Sequence, residues 1–356
     1  MTQKILLASA ISSAILAAAM PAQAQTFTEF AQEGDVILEL RARVETVQED
    51  NALDDAVGMS TRARIGYETA NYEGFKVLAE YDQVVVMQDE YNSLTSNPDK
   101  TSKSVIADGH GGDFNRFQVS YNHDMVSAVL GRQTIVLDNG RFIGNEGWRQ
   151  NERTFDAIRL DLSPIENLSL TYAYINQVNE INYDDTEVEN HLLNLGYQTS
   201  VGKVVTYAYM LEDSDTDVTI DTYGLRFSGD TAVADDVSVL YALEYAGQTY
   251  NSGVSGADDV DGDYHLLEGG VNTSGITFLA GLEQIGGNGK YVFTTPYGSN
   301  HEFNGWSDAV ASSANNGLLN LYAKTSASIA GIELTAAYHD YSSDRDKDKI
   351  SQKGHL

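Results

Sequence analysis

Arginine is the side chain whose placement in this sequence could do chemistry. Arg41 and Arg43, then Arg62 and Arg64, stand two residues apart, which puts each pair on one face of an extended strand. Arg116, Arg132 and Arg159, with Lys76, extend the series. Thirteen of the 21 bases beyond residue 24 fall between Arg41 and Arg159. After Arg159 only Arg226 and Lys324 sit in strand-like segments. A wall of guanidinium groups attracts carboxylates, because it sets up a positive field and each group donates a fork of hydrogen bonds. The same wall could instead brace the fold by pairing with Glu39, Glu45, Glu68, Glu80 and Asp82, and both roles can coexist.

Bond-making chemistry finds little support. The seven histidines (110, 123, 191, 265, 301, 339 and 355) are scattered, and neither His-Glu-x-x-His nor Gly-x-Ser-x-Gly occurs. There is no cysteine, which excludes disulfides and thiolate metal sites. The run Asp258 to Asp263 has the oxygen spacing of a calcium loop without its full ligand set or distal Glu. An enzyme is the least favoured reading, and no resident metal or cofactor is expected. With 52 acids against 22 bases, the net charge of −30 argues against nucleic acid as a partner. The acids concentrate in Asp184 to Glu187, Asp213 to Asp217 and Asp258 to Asp263, read as solvated outer loops.

The elements carrying these residues begin after an export signal. Lys4, the apolar run Ile5 to Met20 and Pro21-Ala22-Gln23-Ala24 read as a signal peptide over residues 1–24. No later apolar stretch is long enough for a membrane helix of about 20 residues. Membrane entry would therefore require a closed β-barrel, whose wet interior suits a mean hydropathy of −0.30. Strict alternation supports this: Val36, Leu38, Leu40, Ala42 and Val44 share one face, with Glu39, Arg41, Arg43 and Glu45 on the other. The segments Leu168-Leu170-Tyr172-Tyr174, Val205-Tyr207-Tyr209-Leu211 and Val237-Val239-Tyr241-Leu243-Tyr245 are assigned apolar, lipid-side faces. Tyr67, Tyr81, Tyr121, Tyr174, Tyr197 and Tyr338 lie where interfacial girdles would form.

Fifteen strands are expected, centred near residues 41, 64, 79, 118, 130, 159, 172, 195, 208, 225, 242, 268, 281, 321 and 337. Short turns near Asn71, Asn122, Ser163, Ser200, Thr273 and Ser326 alternate with longer loops at 48–58, 88–112, 137–152, 179–190, 251–262 and 286–317. That alternation marks periplasmic turns and outer loops, and Pro98, Pro164 and Pro296 all fall between strands. An exported soluble β-protein or adhesin is the alternative. Because bacterial barrels use even strand numbers, the expectation is an eighteen-strand plan (alternatively sixteen) cut at fifteen. The barrel would occupy residues 25–341, with 342–356 a charged tail.

The stretch Gly131-Arg132-Gln133-Thr134-Ile135-Val136-Leu137-Asp138-Asn139-Gly140-Arg141-Phe142-Ile143-Gly144 is followed by Gly147-Trp148-Arg149-Gln150-Asn151 and Thr154-Phe155-Asp156-Ala157. Together with Thr294-Thr295-Pro296, His301 and Phe303-Asn304-Gly305-Trp306, it resembles the alginate-export family of outer-membrane porins. The resemblance implies an eighteen-stranded barrel in a Gram-negative outer membrane, with an arginine-lined path for an anionic sugar polymer in its best-known members. It implies a loop from Leu137 to Arg153 folded toward the lumen, with Arg141, Arg149 and Arg153 at a constriction braced by Asp138 and Asn139. On the strand alternation itself, the arginines expected to line the pore are Arg41, Arg43, Arg62, Arg64, Arg116, Arg132, Arg159 and Arg226. Expected partners are outer-membrane lipid and lipopolysaccharide, the barrel-assembly machinery and small anionic or sugar-like solutes, with the chain a monomer or a homo-oligomer. The expected function is passive diffusion.

Overall fold

The computed structural model describes residues 30–94, 99–306 and 315–345. The signal segment, Pro98 and the end of the charged tail lie outside them. The strands are β1 (Asp35–Val47), β2 (Ala56–Glu68), β3 (Phe75–Glu90), β4 (Gly111–His123) and β5 (Val126–Gln133). They continue as β6 (Thr154–Leu162), β7 (Leu168–Asn179), β8 (Asp185–Thr199), β9 (Gly202–Glu212) and β10 (Thr219–Ala234). The last are β11 (Val237–Asn251), β12 (Val260–Thr273), β13 (Ile276–Ile285), β14 (Leu318–Ile329) and β15 (Ile332–Ser343). One short helix, α1 (Asn300–Phe303), lies between β13 and β14. All fifteen expected strands are present, each antiparallel to the next in a single sheet with β1 and β15 as its edges.

The turns at one end are tight because the sequence supplies left-handed residues. Ser274 and Gly275 (φ 50° and 80°), and Ala330 and Gly331 (φ 53° and 80°), close two-residue hairpins with both central residues at positive φ, the geometry that matches strand twist. At the opposite end, 91–110, 134–153 and 286–317 are the long connections. Several boundaries differ from expectation: β2 begins at Ala56 and β3 runs to Glu90, both inside expected loops, and β15 runs to Ser343, past the expected end at 341. The acidic run from Asp185 belongs to β8, not to a loop, and β12 begins at Val260 within the third acidic run. In β8, Val188 and Asn190 are buried while Glu187 and Glu189 alternate with them. The strands thus extend beyond the apolar band, and polar composition there looks like a loop.

The outer face is apolar where alternation places it: Val36, Leu38 and Leu40 are each more than 70% exposed to the surroundings. Lipid rather than water satisfies such a face. In β11, Leu243 and Tyr245 point outward as expected while Ala242 and Glu244 are buried. β9 is the exception. Val205, Tyr207, Tyr209 and Leu211 are 2–8% exposed and belong to the interior cluster, so the expected lipid-side assignment is reversed. The cause is specific pairing: Tyr207 donates to Glu244 (2.9 Å) and Asn194 donates to the Tyr209 hydroxyl (3.2 Å). Gly224, opposite Tyr207 in β10, leaves room for the ring, since a Cβ there would lie 2.2 Å from Tyr207 Cζ. Gly224→Ala should therefore destabilise the barrel by about 1–3 kcal/mol through overpacking, read as a lower midpoint in heat-modified gel mobility.

Candidate functional site: a loop crossing the interior

β5 is short, and the chain leaves it after Gln133 to run inward across the barrel as loop 134–153. Its first half is packed. Ile135, Leu137, Phe142 and Ile143 are buried, and the Phe142 ring lies 5.1 Å from Tyr264, 5.5 Å from Tyr207 and 5.7 Å from Phe293. A tight turn starts this half: Gly140 N–H donates to Leu137 O (2.9 Å), with Asp138 at φ 54°. Asp138 accepts from Asn194 of β8 (2.7 Å), and the Asn139 side chain accepts from Arg141 N–H (3.2 Å).

Arg141 is wholly buried. It donates to Glu283 of β13 (2.7 Å), Asn300 (2.8 Å) and Asn304 (3.2 Å), and Phe303 covers its face at 5.2 Å. Burial opposes its charge, but the Glu283 carboxylate outweighs that and raises its pKa above the ordinary value. Arg141, expected at a constriction, has no free surface; it ties the loop to β13 instead. The segment Tyr297 to Ser299 packs beside it, with Gly144 donating to Tyr297 O (2.7 Å) and Ser299 to Gly140 O (3.0 Å). Gly298 fits where a Cβ would lie 2.2 Å from Arg141 O.

The second half of the loop reaches the opposite wall. Arg41 donates to the carbonyls of Gly147 (3.2 Å), Arg149 (3.0 Å) and Trp148 (2.7 Å). Arg43 also donates to Trp148 O, and Arg62 to Gln150 O (2.9 Å). In the strand register Arg41 stands directly opposite Arg62, a repulsive pair that the loop carbonyls and Glu39 relieve. The Trp148 ring is held between the Arg43 guanidinium at 4.0 Å and the His301 ring at 4.0 Å, with an interplanar angle of 9°. Arg149 pairs with Glu45 (3.2 Å), and Arg153 with Glu180 (2.9 Å).

Cross-strand ion pairs brace the remaining wall. Arg64 bonds Asp82 and Glu152 (2.7 Å each), Arg116 bonds Glu80 (2.7 Å), and Arg43 pairs with Glu45 (2.7 Å) and Asp108 (3.2 Å). The bracing carboxylates expected from sequence, Glu39, Glu45, Glu68, Glu80 and Asp82, all hold bases, Glu68 through Lys76 at 2.7 Å. Arg159 and Arg226 also face inward, paired with Asp161 (2.8 Å) and Glu244 (2.5 Å). Arg132 does not face inward. Its register partners are the exposed Phe117 and the half-buried Asp156, while its neighbour Gln133, opposite buried Phe155, takes the inner face. There Arg132 bridges Asp113 of β4 (2.7 Å) and Asp156 of β6 (2.8 Å), stapling the wall where β5 ends.

Sequence reasoning missed Glu283, Asp108 and Glu152 as partners, and it missed the Trp148–His301 stack. Both rings lie in the quoted motif stretches, but no spacing rule joins residues 153 positions apart.

A family model described as alginate export matches residues 34–285. Solved structures share the fold at low identity. OpdL from Pseudomonas aeruginosa is 15% identical with a TM-score of 0.67, covering 89% of this chain and 84% of its own. OpdQ from the same organism is 17% identical at 0.64, covering 92% and 85%. OccAB1 from Acinetobacter baumannii is 12% identical at 0.65, covering 88% and 81%. No curated protein matches the sequence. The matched span takes in the arginine wall, the crossing loop and the strands up to Glu283, and the chain belongs to the alginate-export family, porin-like channels of the Gram-negative outer membrane.

Proposed function

We propose that the protein is a passive diffusion channel whose narrow part lies between the crossing loop and the wall of β1 to β4. Arg41, Arg43, Arg62, Arg64 and Arg116 line it, and its bias is toward small anionic or sugar-like solutes. One observation carries the anionic part. Among the described residues, Arg41 alone of the strand arginines forms no ion pair; it bonds only to neutral carbonyls. No carboxylate contacts its guanidinium directly, which leaves it available to an anion. Elsewhere guanidinium and carboxylate alternate, offering donors and acceptors to hydroxyls. OpdK, a structure of the same fold, was crystallised with vanillate, a carboxylate. Arg149 and Arg153 complete the constriction in this reading, with Arg141, Asp138 and Asn139 as its anchors. Solutes move by diffusion, with no nucleotide or metal required.

Reversal potentials of single channels under a KCl gradient test this. Arg41→Gln should lower the chloride-to-potassium permeability ratio about fivefold, from a unit charge acting across about 8 Å of water on both ions. An unchanged ratio would refute the anion bias.

A further inference from the structure

Four consecutive carbonyls of the crossing loop, from Gly147 to Gln150, accept hydrogen bonds from three strand arginines. Arg41 thus holds main-chain oxygens in the place where it would hold a carboxylate, and Arg43, which also holds Glu45 and Asp108, adds a bond to the same turn. We propose that the turn at residues 146–149 is a strap that fills the Arg41–Arg43 anion site with its own carbonyls. A carboxylate-bearing solute opens its path by displacing the strap. This rests on the anion bias proposed above and adds that the anion also controls the opening.

The loop is built in two parts that differ in how they are held. Its root is a packed, anchored segment, with Ile135, Ile143 and Arg141 at 0–1% exposure. Its tip is a compact turn closed by Arg149 N–H donating to Glu146 O (2.9 Å), and Glu146 holds an uncommon left-handed φ of 50°. Gly147 is exposed, and Trp148 is 41% exposed despite its two stacking partners. Beyond the turn, Gln150 is buried again and fixed by Ser60 (2.9 Å) and Asp108 (2.9 Å). The tip therefore lies between two fixed points, and the arginine–carbonyl bonds hold it against the wall.

Those bonds can be exchanged. A hydrogen bond from a guanidinium to a charged carboxylate is stronger than one to a neutral carbonyl, and its bidentate form matches the arginine fork. A carboxylate at Arg41 also supplies the countercharge that the strap does not. Displacement frees the Arg43 face of Trp148, so the tryptophan reports the event.

The test uses the full chain in lipid bilayers, and the absence of native cysteine makes thiol chemistry selective. Trp148→Cys with His301→Cys, joined by a short bis-methanethiosulfonate bridge, ties the strap to the neighbouring loop. With benzoate added to chloride at constant ionic strength, reduced channels should show severalfold more time in the open level. Bridged channels should not respond until a reductant is added. Because that variant alters the stack, a second measurement keeps it intact: Trp306→Phe leaves Trp148 as the lone tryptophan. Its emission should change saturably with benzoate and not with chloride. Equal responses of bridged and reduced channels, or emission indifferent to benzoate, would overturn the strap while leaving an anion-selective reversal potential intact. A native channel without anion preference would instead overturn the functional reading and the strap together.

Discussion

Arg141→Ala should release the crossing loop and cost the barrel about 3–5 kcal/mol, the range for removing one member of a buried ion pair. Glu283 would keep its charge at 3% exposure with only Tyr264 (2.9 Å) as a close donor, and Asn300 and Asn304 would lose the guanidinium between them. Two results are expected together: a lower thermal midpoint in detergent, and a larger, noisier single-channel conductance as the loop swings out of the path. Arg141→Met with Glu283→Leu removes both charges and keeps volume, so it should recover much of the midpoint. A variant of Arg141→Ala with native midpoint and native conductance would show that the anchor lies elsewhere.

The legibility of this fold follows from what alternation can and cannot encode. Period-two patterning located all fifteen strands, because a half-apolar strand shows its period wherever it crosses the apolar band. It could not say which face is inner when both faces carry bulky side chains. β1 was assigned correctly because Arg41 and Arg43 are incompatible with lipid. β9 was not, because Tyr207 and Tyr209 serve equally well as lipid-side rings or as buried donors. What decides is Glu244, two strands away, together with the glycine that admits the ring. Arg132 failed for a related reason. Register across the short β5 sets its side, and the aspartates that make an outer-face arginine tolerable come from β4 and β6.

The site was legible as composition but not as connectivity. The inward loop was implied by resemblance, and the sequence showed its arginines. It could not show that they serve different ends: Arg141 fixes the root, Arg149 pairs with the wall, and the strand arginines hold main-chain oxygens. The pairing of wall charges was legible in part, since cross-strand partners such as Arg64 with Asp82 and Arg116 with Glu80 lie at matching register positions. Asp108 and Glu152 come from loops, whose paths no period describes.

That pairing changes what the arginine wall can do, and it leads to a result that charge counting by strand would not give. Around the crossing loop, Arg43, Arg62, Arg64, Arg116 and Arg149 are ion-paired with Glu39, Glu45, Glu80, Asp82, Asp108 and Glu152, and Arg41, bonded only to carbonyls, brings the six acids into balance with six bases. A balanced wall has little net field beyond a Debye length of about 8 Å, so selectivity is controlled as strongly by its carboxylates as by its arginines. Glu45 holds both Arg43 (2.7 Å) and Arg149 (3.2 Å), and Glu45→Gln exposes one net positive charge at the strap. The chloride-to-potassium permeability ratio should then rise about fivefold, from the same charge and distance that lower it in Arg41→Gln. The double variant should return close to the native ratio. Conductance is the wrong readout, because loosening the strap changes it in either variant; the reversal potential separates charge from width. A ratio unmoved by Glu45→Gln while Arg41→Gln lowers it would mean that Arg41 contacts the permeating ion directly and that the remaining wall is structural.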